Sequence, residues 1–158
     1  MTVTARDLKS MSRRELDELF RKSPAGPVPK GPSRGTALIV PGGFLDRILG
    51  GLVRLFVWKG KQFRTDADGS ASLKNLISPL SIELFRAEVY PEESWFSDGP
   101  AVILDYSESS ILVRMIRDEI RQVGDGLYLG QVFLWRTRVI LFMLEFPTAI
   151  PARTSEAA

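Results

Sequence analysis

The chain has 158 residues, of which 44% are hydrophobic and 25% are charged, and its mean hydropathy is near zero. These values are typical of an ordinary soluble globular domain with one core. The net charge of +2 offers no strongly basic surface, so we expect no nucleic-acid partner. The chain has no histidine and no cysteine, which excludes cysteine nucleophiles, Ser-His-Asp hydrolysis, and zinc or haem held through imidazole or thiolate. Catalysis would have to use Asp, Glu, Lys, Arg, Tyr or Ser, and we expect no cofactor and no metal.

The first sixty residues predict a helix, a stiff connector, a strand and a second helix. A capping box at Ser12 and Glu15 predicts an amphipathic helix over about 12–22. Residues 23–35 contain four prolines and three glycines, which indicates an extended connector lying along the domain surface. The apolar run 36–40 predicts the first strand, and helical periodicity from 44 to 56 predicts a helix after it. The polar N-terminus does not resemble a signal peptide and no run of 18 apolar residues occurs, so we expect a cytoplasmic protein without integral membrane association.

From residue 61 onward, the hydrophobic pattern is typical of strands. Turn signals such as Gly124-Asp125-Gly126 separate seven strand-like segments, at 61–66, 70–78, 82–90, 101–106, 117–123, 127–135 and 139–146. Residues 107–116 fit either a helical turn or a strand extension. With 36–40 the strands number eight, and a meander of that size closes most readily as a barrel. We therefore predict a mainly β fold: one eight-stranded antiparallel β-barrel domain over 1–150, including a helix and Pro-rich connector at 1–33, followed by a disordered tail at 151–158.

Three short motifs between about residues 34 and 135 resemble those of a known family. They are the segment 58–63, with its aromatic-x-Gly-Lys-x-Phe pattern, the pair Asp105-Tyr106 at the end of an apolar strand, and the pair Leu129-Gly130. The chain thereby resembles small bacterial lipocalin-like, calycin-type barrel proteins of the Gly-x-Trp-x-Gly type. The resemblance implies a lipocalin-like barrel with room for an apolar small molecule.

The strand at 117–123 carries most of the candidate chemistry. Alternation places Asp118 on one face and Arg117 with Glu119 on the other. The simpler interpretation is a solvated hairpin face whose arginines pair with glutamates of neighbouring strands. The sharper hypothesis is that Asp118 shares the barrel interior with Gln131. Carboxylates inside an apolar barrel can act as general acids or bases, so the candidate catalytic residues are Asp105, Tyr106, Asp118 and Glu119.

Candidate ligand-binding residues are cationic, amide or aromatic. Arg114 and Arg117 lie three apart and could clamp an anionic head group, although such pairs are more often solvated. We expect the loop 90–100 to cover a barrel mouth with its aromatic residues, the alternative being that it lies against the outside. The full candidate set is Trp58, Lys61, Phe63, Phe85, Trp95, Arg114, Arg117, Tyr128, Gln131 and Phe133.

Three functional hypotheses follow from these patterns. The first is a barrel that binds an apolar or amphipathic small molecule of acyl, polyketide or isoprenoid type. The second is a cofactor-free cyclase or isomerase that uses the carboxylates and a tyrosine on such a compound. The third is a partner-binding module with a solid core. A homodimer is compatible with each of them.

Overall fold

In the computed structural model of the chain, residues 3–39, 61–65, 70–76, 83–107 and 115–147 are described, with all their side chains except those of 74–76 and 83–86. Within these ranges the chain forms two helices and nine strands. The elements are α1 (Ala5–Ser10), α2 (Arg13–Lys22), β1 (Gly31–Pro32), β2 (Arg34–Ile39), β3 (Lys61–Thr65), β4 (Ala71–Leu76), β5 (Glu83–Glu93), β6 (Pro100–Asp105), β7 (Ile116–Gly124), β8 (Leu127–Leu134) and β9 (Thr137–Glu145). The predicted helix over 44–56 and the predicted tail from 151 lie outside the described residues.

The strands form one antiparallel sheet that curls into a nearly closed barrel. Their order is β1-β3-β4-β5-β6-β7-β8-β9-β2. Only Ser33 separates β1 from β2 along the chain, although β1 pairs with β3 and β2 pairs with β9. The two ends of the sheet therefore meet in one short segment. At this seam the Ser33 hydroxyl donates to the Lys61 carbonyl oxygen at 2.8 Å, and the Lys61 amide donates to the Ser33 hydroxyl at 3.1 Å.

The mainly β antiparallel barrel is confirmed, with two differences in its elements. The ninth strand is β1, which arises inside the proline-rich connector. Pro32 has no amide proton and is therefore tolerated in a two-residue strand at the seam. The additional helix is α1, which has its own capping box between Thr4 and Asp7. The predicted helix at 12–22 is confirmed as α2, capped by Ser12 and Glu15.

Alternation along the strands divides the buried side chains into two layers. The inner layer consists of side chains from β3 through β9 that face the barrel interior: Phe63, Leu73, Ala87, Val89, Val102, Leu104, Tyr106, Ile116, Ile120, Tyr128, Val132, Ile140, Phe142 and Leu144. The outer layer combines the helices with the opposite face of the sheet: Leu8, Leu16, Phe20, Ala101, Ile103, Leu127, Leu129, Leu141 and Met143. Both faces of β8 and β9 are therefore buried, one by the barrel and one by the helices.

The proline-rich connector lies against the end of the barrel next to the β7–β8 hairpin. The amide of Gln122 donates to the Pro24 carbonyl oxygen at 3.1 Å, and the Tyr128 hydroxyl donates to the Pro27 carbonyl oxygen at 2.8 Å. Ala25 and Val28 contact the inner layer. The connector thus covers one end of the barrel instead of only following its surface.

Candidate functional site

A lysine, a tyrosine and an aspartate meet inside the barrel. The Lys61 Nζ lies 2.5 Å from Asp118 Oδ2 and donates to the Tyr106 hydroxyl at 2.6 Å. The Tyr106 hydroxyl in turn donates to Asp118 Oδ2 at 3.2 Å. The Lys61 and Asp118 side chains are 2% and 0% exposed, and Tyr106 is fully buried. We call these three residues the inner triad.

The inner triad is assembled by the sheet register. Lys61 begins β3, Tyr106 directly follows β6, and Asp118 is the third residue of β7. Asp118 pairs with Leu104 on β6 and with Val132 on β8, both of which face the barrel interior. Because alternate residues of a strand share a face, Asp118 and Ile120 point inward together while Arg117 and Glu119 point outward.

One oxygen of the inner triad has no hydrogen-bond partner in the described part of the chain. Among the described residues, the buried Asp118 Oδ1 accepts no hydrogen bond, whereas Oδ2 is shared by Lys61 and Tyr106. An unsatisfied buried carboxylate oxygen lowers stability by about 1–3 kcal/mol. Asp118 Oδ1 is therefore an acceptor suited to a hydroxyl, an amide N–H or another donor inside the barrel.

Aromatic rings lie close to the Lys61 ammonium group of the inner triad. The Lys61 ammonium lies 5.2 Å from the centre of the Tyr106 ring and 5.6 Å from that of Phe142. Phe142 lies directly over Gly130, where a Cβ atom would be 2.3 Å from its Cζ. Glycine at 130 is thus needed for the close approach of the Phe142 ring.

Burial raises the pKa of Tyr128, whose hydroxyl faces the connector.

Glu119 belongs to a different network, on the outer side of the sheet. Its carboxylate accepts hydrogen bonds from the Ser94 hydroxyl at 2.6 Å, the Trp95 amide at 2.7 Å and the Gln131 side chain at 3.1 Å. It also forms an ion pair with Arg117. This network fixes the turn at 94–99 against the sheet.

Asp105 also lies on the outer side, next to Tyr90. The Tyr90 hydroxyl donates to Asp105 Oδ2 at 2.9 Å, and the Ser107 amide donates to Oδ1 at 2.8 Å. Burial, followed by the hydrogen bond and charge of Asp105, raises the pKa of Tyr90 to about 12. Asp105 is thus separated from Tyr106 by the thickness of the sheet, although the two are adjacent in sequence.

The candidate residues from the sequence divide into two groups. Lys61, Tyr106 and Asp118 form the inner triad, and Phe63 and Tyr128 belong to the inner layer around it. The other described candidates lie on the outer side: Asp105, Glu119, Trp95, Arg117, Gln131 and Phe133. Trp58 and Arg114 lie outside the described residues, as does the side chain of Phe85.

Three expectations from the sequence need correction. Gln131 does not share the interior with Asp118, because it donates to the outer carboxylate of Glu119. The outward face of β7 is not solvated, because Glu119 and Arg121 are 0% and 2% exposed beneath α2 and the 94–99 turn. Trp95 does not cover a barrel mouth. It lies on the outside, with its ring centre 5.6 Å from that of Phe133.

Sequence reasoning missed Arg121, Trp135 and Arg136. Arg121 donates to five carbonyl oxygens: those of Phe20, Arg21, Asp98, Gly99 and Pro100. Nothing local in the sequence indicated these partners, two of which, Phe20 and Arg21, are 101 and 100 residues away. Trp135 and Arg136 form the two-residue turn between β8 and β9, where the expected turn was at 136–138. A tryptophan directly followed by an arginine at the end of an apolar strand was the available signal.

The fold and the inner triad together define a nearly closed antiparallel β-barrel with an ionic group inside it, an architecture that can hold a ligand. No protein-family model matches the chain, and no curated protein matches it. The chain is similar in structure to a protein from Thermomonospora curvata whose crystal structure is known. The TM-score is 0.56 at 19% sequence identity, covering 87% of this chain and 89% of that chain. This likeness shows the fold alone.

Two further findings concern the described part of the chain only. It contains no group of three or more side chains that could hold a metal ion. Neither of its two helices is long and apolar enough to cross a membrane.

Proposed function

We propose that the barrel binds a small amphipathic molecule in its interior, with the polar end of that molecule held by the inner triad. The observation that carries this proposal is the unpartnered Oδ1 of Asp118, which lies at full burial beside Lys61 and Tyr106. A ligand that donates a hydrogen bond to this oxygen would satisfy it, and its apolar body would contact the aliphatic and aromatic side chains of the inner layer. Acyl, polyketide and isoprenoid compounds with a hydroxyl or amide group have this character.

The energetics of the inner triad favour a binding role over a structural one. A buried ion pair rarely stabilises a fold more than apolar side chains of the same volume would, because both charges lose their hydration. The remaining inner layer is almost entirely apolar, so apolar residues at positions 61 and 118 would suit the barrel. The presence of Lys61 and Asp118 there is therefore better explained by recognition of a ligand.

Native mass spectrometry tests the proposal. The purified wild-type protein should carry an extra mass that is lost on denaturation, or should retain one molecule of decanol added in excess, since the decanol hydroxyl can donate to Asp118. The double variant Lys61→Met/Asp118→Val removes the polar group and keeps the interior apolar, and it should lose this binding. The variant Asp125→Asn, altered at an exposed turn residue, is the control and should bind as the wild type does. A wild-type protein that carries no molecule and binds no decanol would contradict the proposal.

A second candidate function is catalysis by the same inner triad. Tyr106 is placed between an ammonium group and a carboxylate, so its hydroxyl could give a proton to a carbonyl oxygen while Asp118 removes one from carbon, as in a cofactor-free isomerisation or cyclisation. Turnover of the co-purifying molecule that is lost in Tyr106→Phe, with binding retained, would support catalysis. Tyr90→Phe, on the outer side, is the matched control. If the wild-type protein binds the molecule but does not convert it, the result supports binding alone and contradicts catalysis.

A further inference from the structure

A cleft separate from the inner triad opens on the outer side of the barrel, near the β8–β9 turn. It has a volume of about 550 Å³, which is in the range of small-molecule sites. Its walls come from the end of β6, the start of β7, the 94–99 turn and the β8–β9 turn. The residues that line it include Trp95, Asp105, Ile116, Arg117, Trp135 and Arg136.

The cleft contains two large apolar side chains that are exposed. Trp95 is 38% and Trp135 is 66% exposed, and the other large hydrophobic side chains in the described part of the chain are buried or half-buried. An exposed pair of tryptophans in one concave site is typical of a surface that binds something.

Trp135 is also held in an unfavourable backbone conformation. Its φ is +55°, the left-handed region in which bulky residues are rare. It occupies a two-residue hairpin turn, where glycine or asparagine is the usual choice at a positive φ. The Trp135 amide is fixed by a 2.8 Å hydrogen bond to the Met115 carbonyl oxygen. A glycine here would relieve the strain and remove the exposed ring, so the tryptophan is better explained by a contact that it makes with a ligand.

Of the two described arginines that line the cleft, Arg117 is engaged in hydrogen bonds and Arg136 is available for a ligand. The Arg117 guanidinium donates to Glu92, to Glu119 and to the carbonyl oxygen of Glu93, so all its nitrogens are engaged. Asp105 is likewise engaged at both oxygens. Arg136 is exposed and forms no ion pair with any described residue, and its guanidinium lies 4.1 Å from the centre of the Trp95 ring.

We propose that this cleft binds a small aromatic anion, with its ring stacked on Trp135 and its carboxylate, sulfonate or phosphate group held by Arg136. The Arg117 guanidinium, 4.4 Å from the centre of the Trp95 ring, holds that ring in place as the opposite wall. Arginine is the residue best suited to bind an anion while lying on an aromatic face. This site shares Ile116 with the inner layer but no residue with the inner triad, and Asp105 and Arg117 in its walls face away from the barrel interior.

Titration with the fluorescent aromatic anion anilinonaphthalene sulfonate tests the proposal. The wild-type protein should bind one molecule, and Trp135→Gly should weaken the affinity more than about tenfold without lowering Tm. Arg136→Gln should weaken it about fivefold, and Arg136→Lys should weaken it less because the charge remains. Arg64→Gln, at an exposed arginine of β3, is the matched control and should change nothing.

Other results would overturn the proposal and separate it from the function proposed for the interior. Unchanged affinity in both Trp135→Gly and Arg136→Gln, together with loss in Lys61→Met/Asp118→Val, would place the probe inside the barrel. If the wild-type protein binds no probe and sediments as a dimer, and Trp135→Gly sediments as a monomer, the occupant of the cleft is a second copy of the chain. Retained probe binding in Lys61→Met/Asp118→Val, with decanol binding lost, is the result expected if the two sites are distinct.

Discussion

Replacing Lys61 with methionine removes the ammonium group that neutralises Asp118 and leaves a side chain of similar length in its place. The two groups are 2.5 Å apart, with side-chain exposures of 2% and 0%. After the substitution, the Tyr106 hydroxyl at 3.2 Å is the donor left to Asp118 within the inner triad. A buried carboxylate without its counter-charge should lower the free energy of unfolding by about 3–5 kcal/mol. Asp118→Val should also destabilise the protein, because it removes the carboxylate that pairs with the buried Lys61 ammonium and accepts from the Tyr106 hydroxyl.

The double variant Lys61→Met/Asp118→Val should behave very differently from either single variant. Both charges are absent, so no charge must be desolvated, and the new side chains match the apolar inner layer around them. We expect its free energy of unfolding to lie within about 1 kcal/mol of the wild type, or above it by up to about 4 kcal/mol. The two substitutions are therefore strongly non-additive, since residues in direct contact share one interaction.

Urea denaturation followed by far-UV circular dichroism measures all four proteins of this cycle. Lys30→Met, at an exposed lysine of the connector, is the control and should change the free energy of unfolding by less than about 0.5 kcal/mol. The reasoning is refuted if Lys61→Met destabilises by less than about 1 kcal/mol, or if the effects of the two substitutions simply add. A stable double variant that no longer binds decanol would show that the ion pair serves binding and not folding.

Three further predictions concern the framework around the two sites. Gly130→Ala should destabilise the protein by about 2 kcal/mol, because its Cβ would lie 2.3 Å from the Phe142 ring, and adding Phe142→Leu should restore part of the loss in urea denaturation. Arg121→Met should lower the free energy of unfolding by about 2–4 kcal/mol, because five carbonyl oxygens lose their donor. Arg121→Lys should recover only part of this stability, and a decrease below about 0.5 kcal/mol in Arg121→Met would contradict the prediction. The third prediction concerns pH. The folded pKa of Tyr90, about 12, lies above the unfolded value of about 10, so its contribution is complete below pH 10 and is lost as pH rises through 12. The Tm difference between the wild type and Tyr90→Phe should therefore shrink over that interval, and a constant difference would argue against the hydrogen bond to Asp105.

The fold was largely predictable because it follows from local patterns. The capping box at Ser12 and Glu15 acts within a few residues, and α2 is found where it indicated. Strand segments from 61 onward are separated by turn residues, and the β7–β8 hairpin forms at Gly124-Asp125-Gly126, with Gly126 at a φ of +60°. The ninth strand was not predictable, because β1 consists of two residues that pair only once the barrel closes.

The division of side chains between the two faces of the sheet was predictable, but the burial of charged side chains on the outer face was not. Alternation correctly separates Asp118 from its neighbours Arg117 and Glu119. A charged strand face normally indicates solvent, yet Glu119 and Arg121 are buried. Their partners come from α2 and the 94–99 turn, which are distant in sequence: Arg121 reaches the Phe20 carbonyl oxygen across 101 residues. Such contacts exist only in the folded chain, so periodicity within one strand carries no signal of them.

Two dipeptides explain why the candidate residues from the sequence belong to two different sites. Asp105 is the last residue of β6 and Tyr106 follows it, whereas Arg117 and Asp118 are the second and third residues of β7. The two strands pair in register at Asp105 and Arg117. The first member of each dipeptide faces outward and lines the cleft, and the second faces inward and joins the inner triad. A single strand pair therefore supplies both sites through adjacent residues. Trp135 and Arg136 take no part in the hydrogen bonds among Lys61, Tyr106 and Asp118, so each site can be removed while the other is measured.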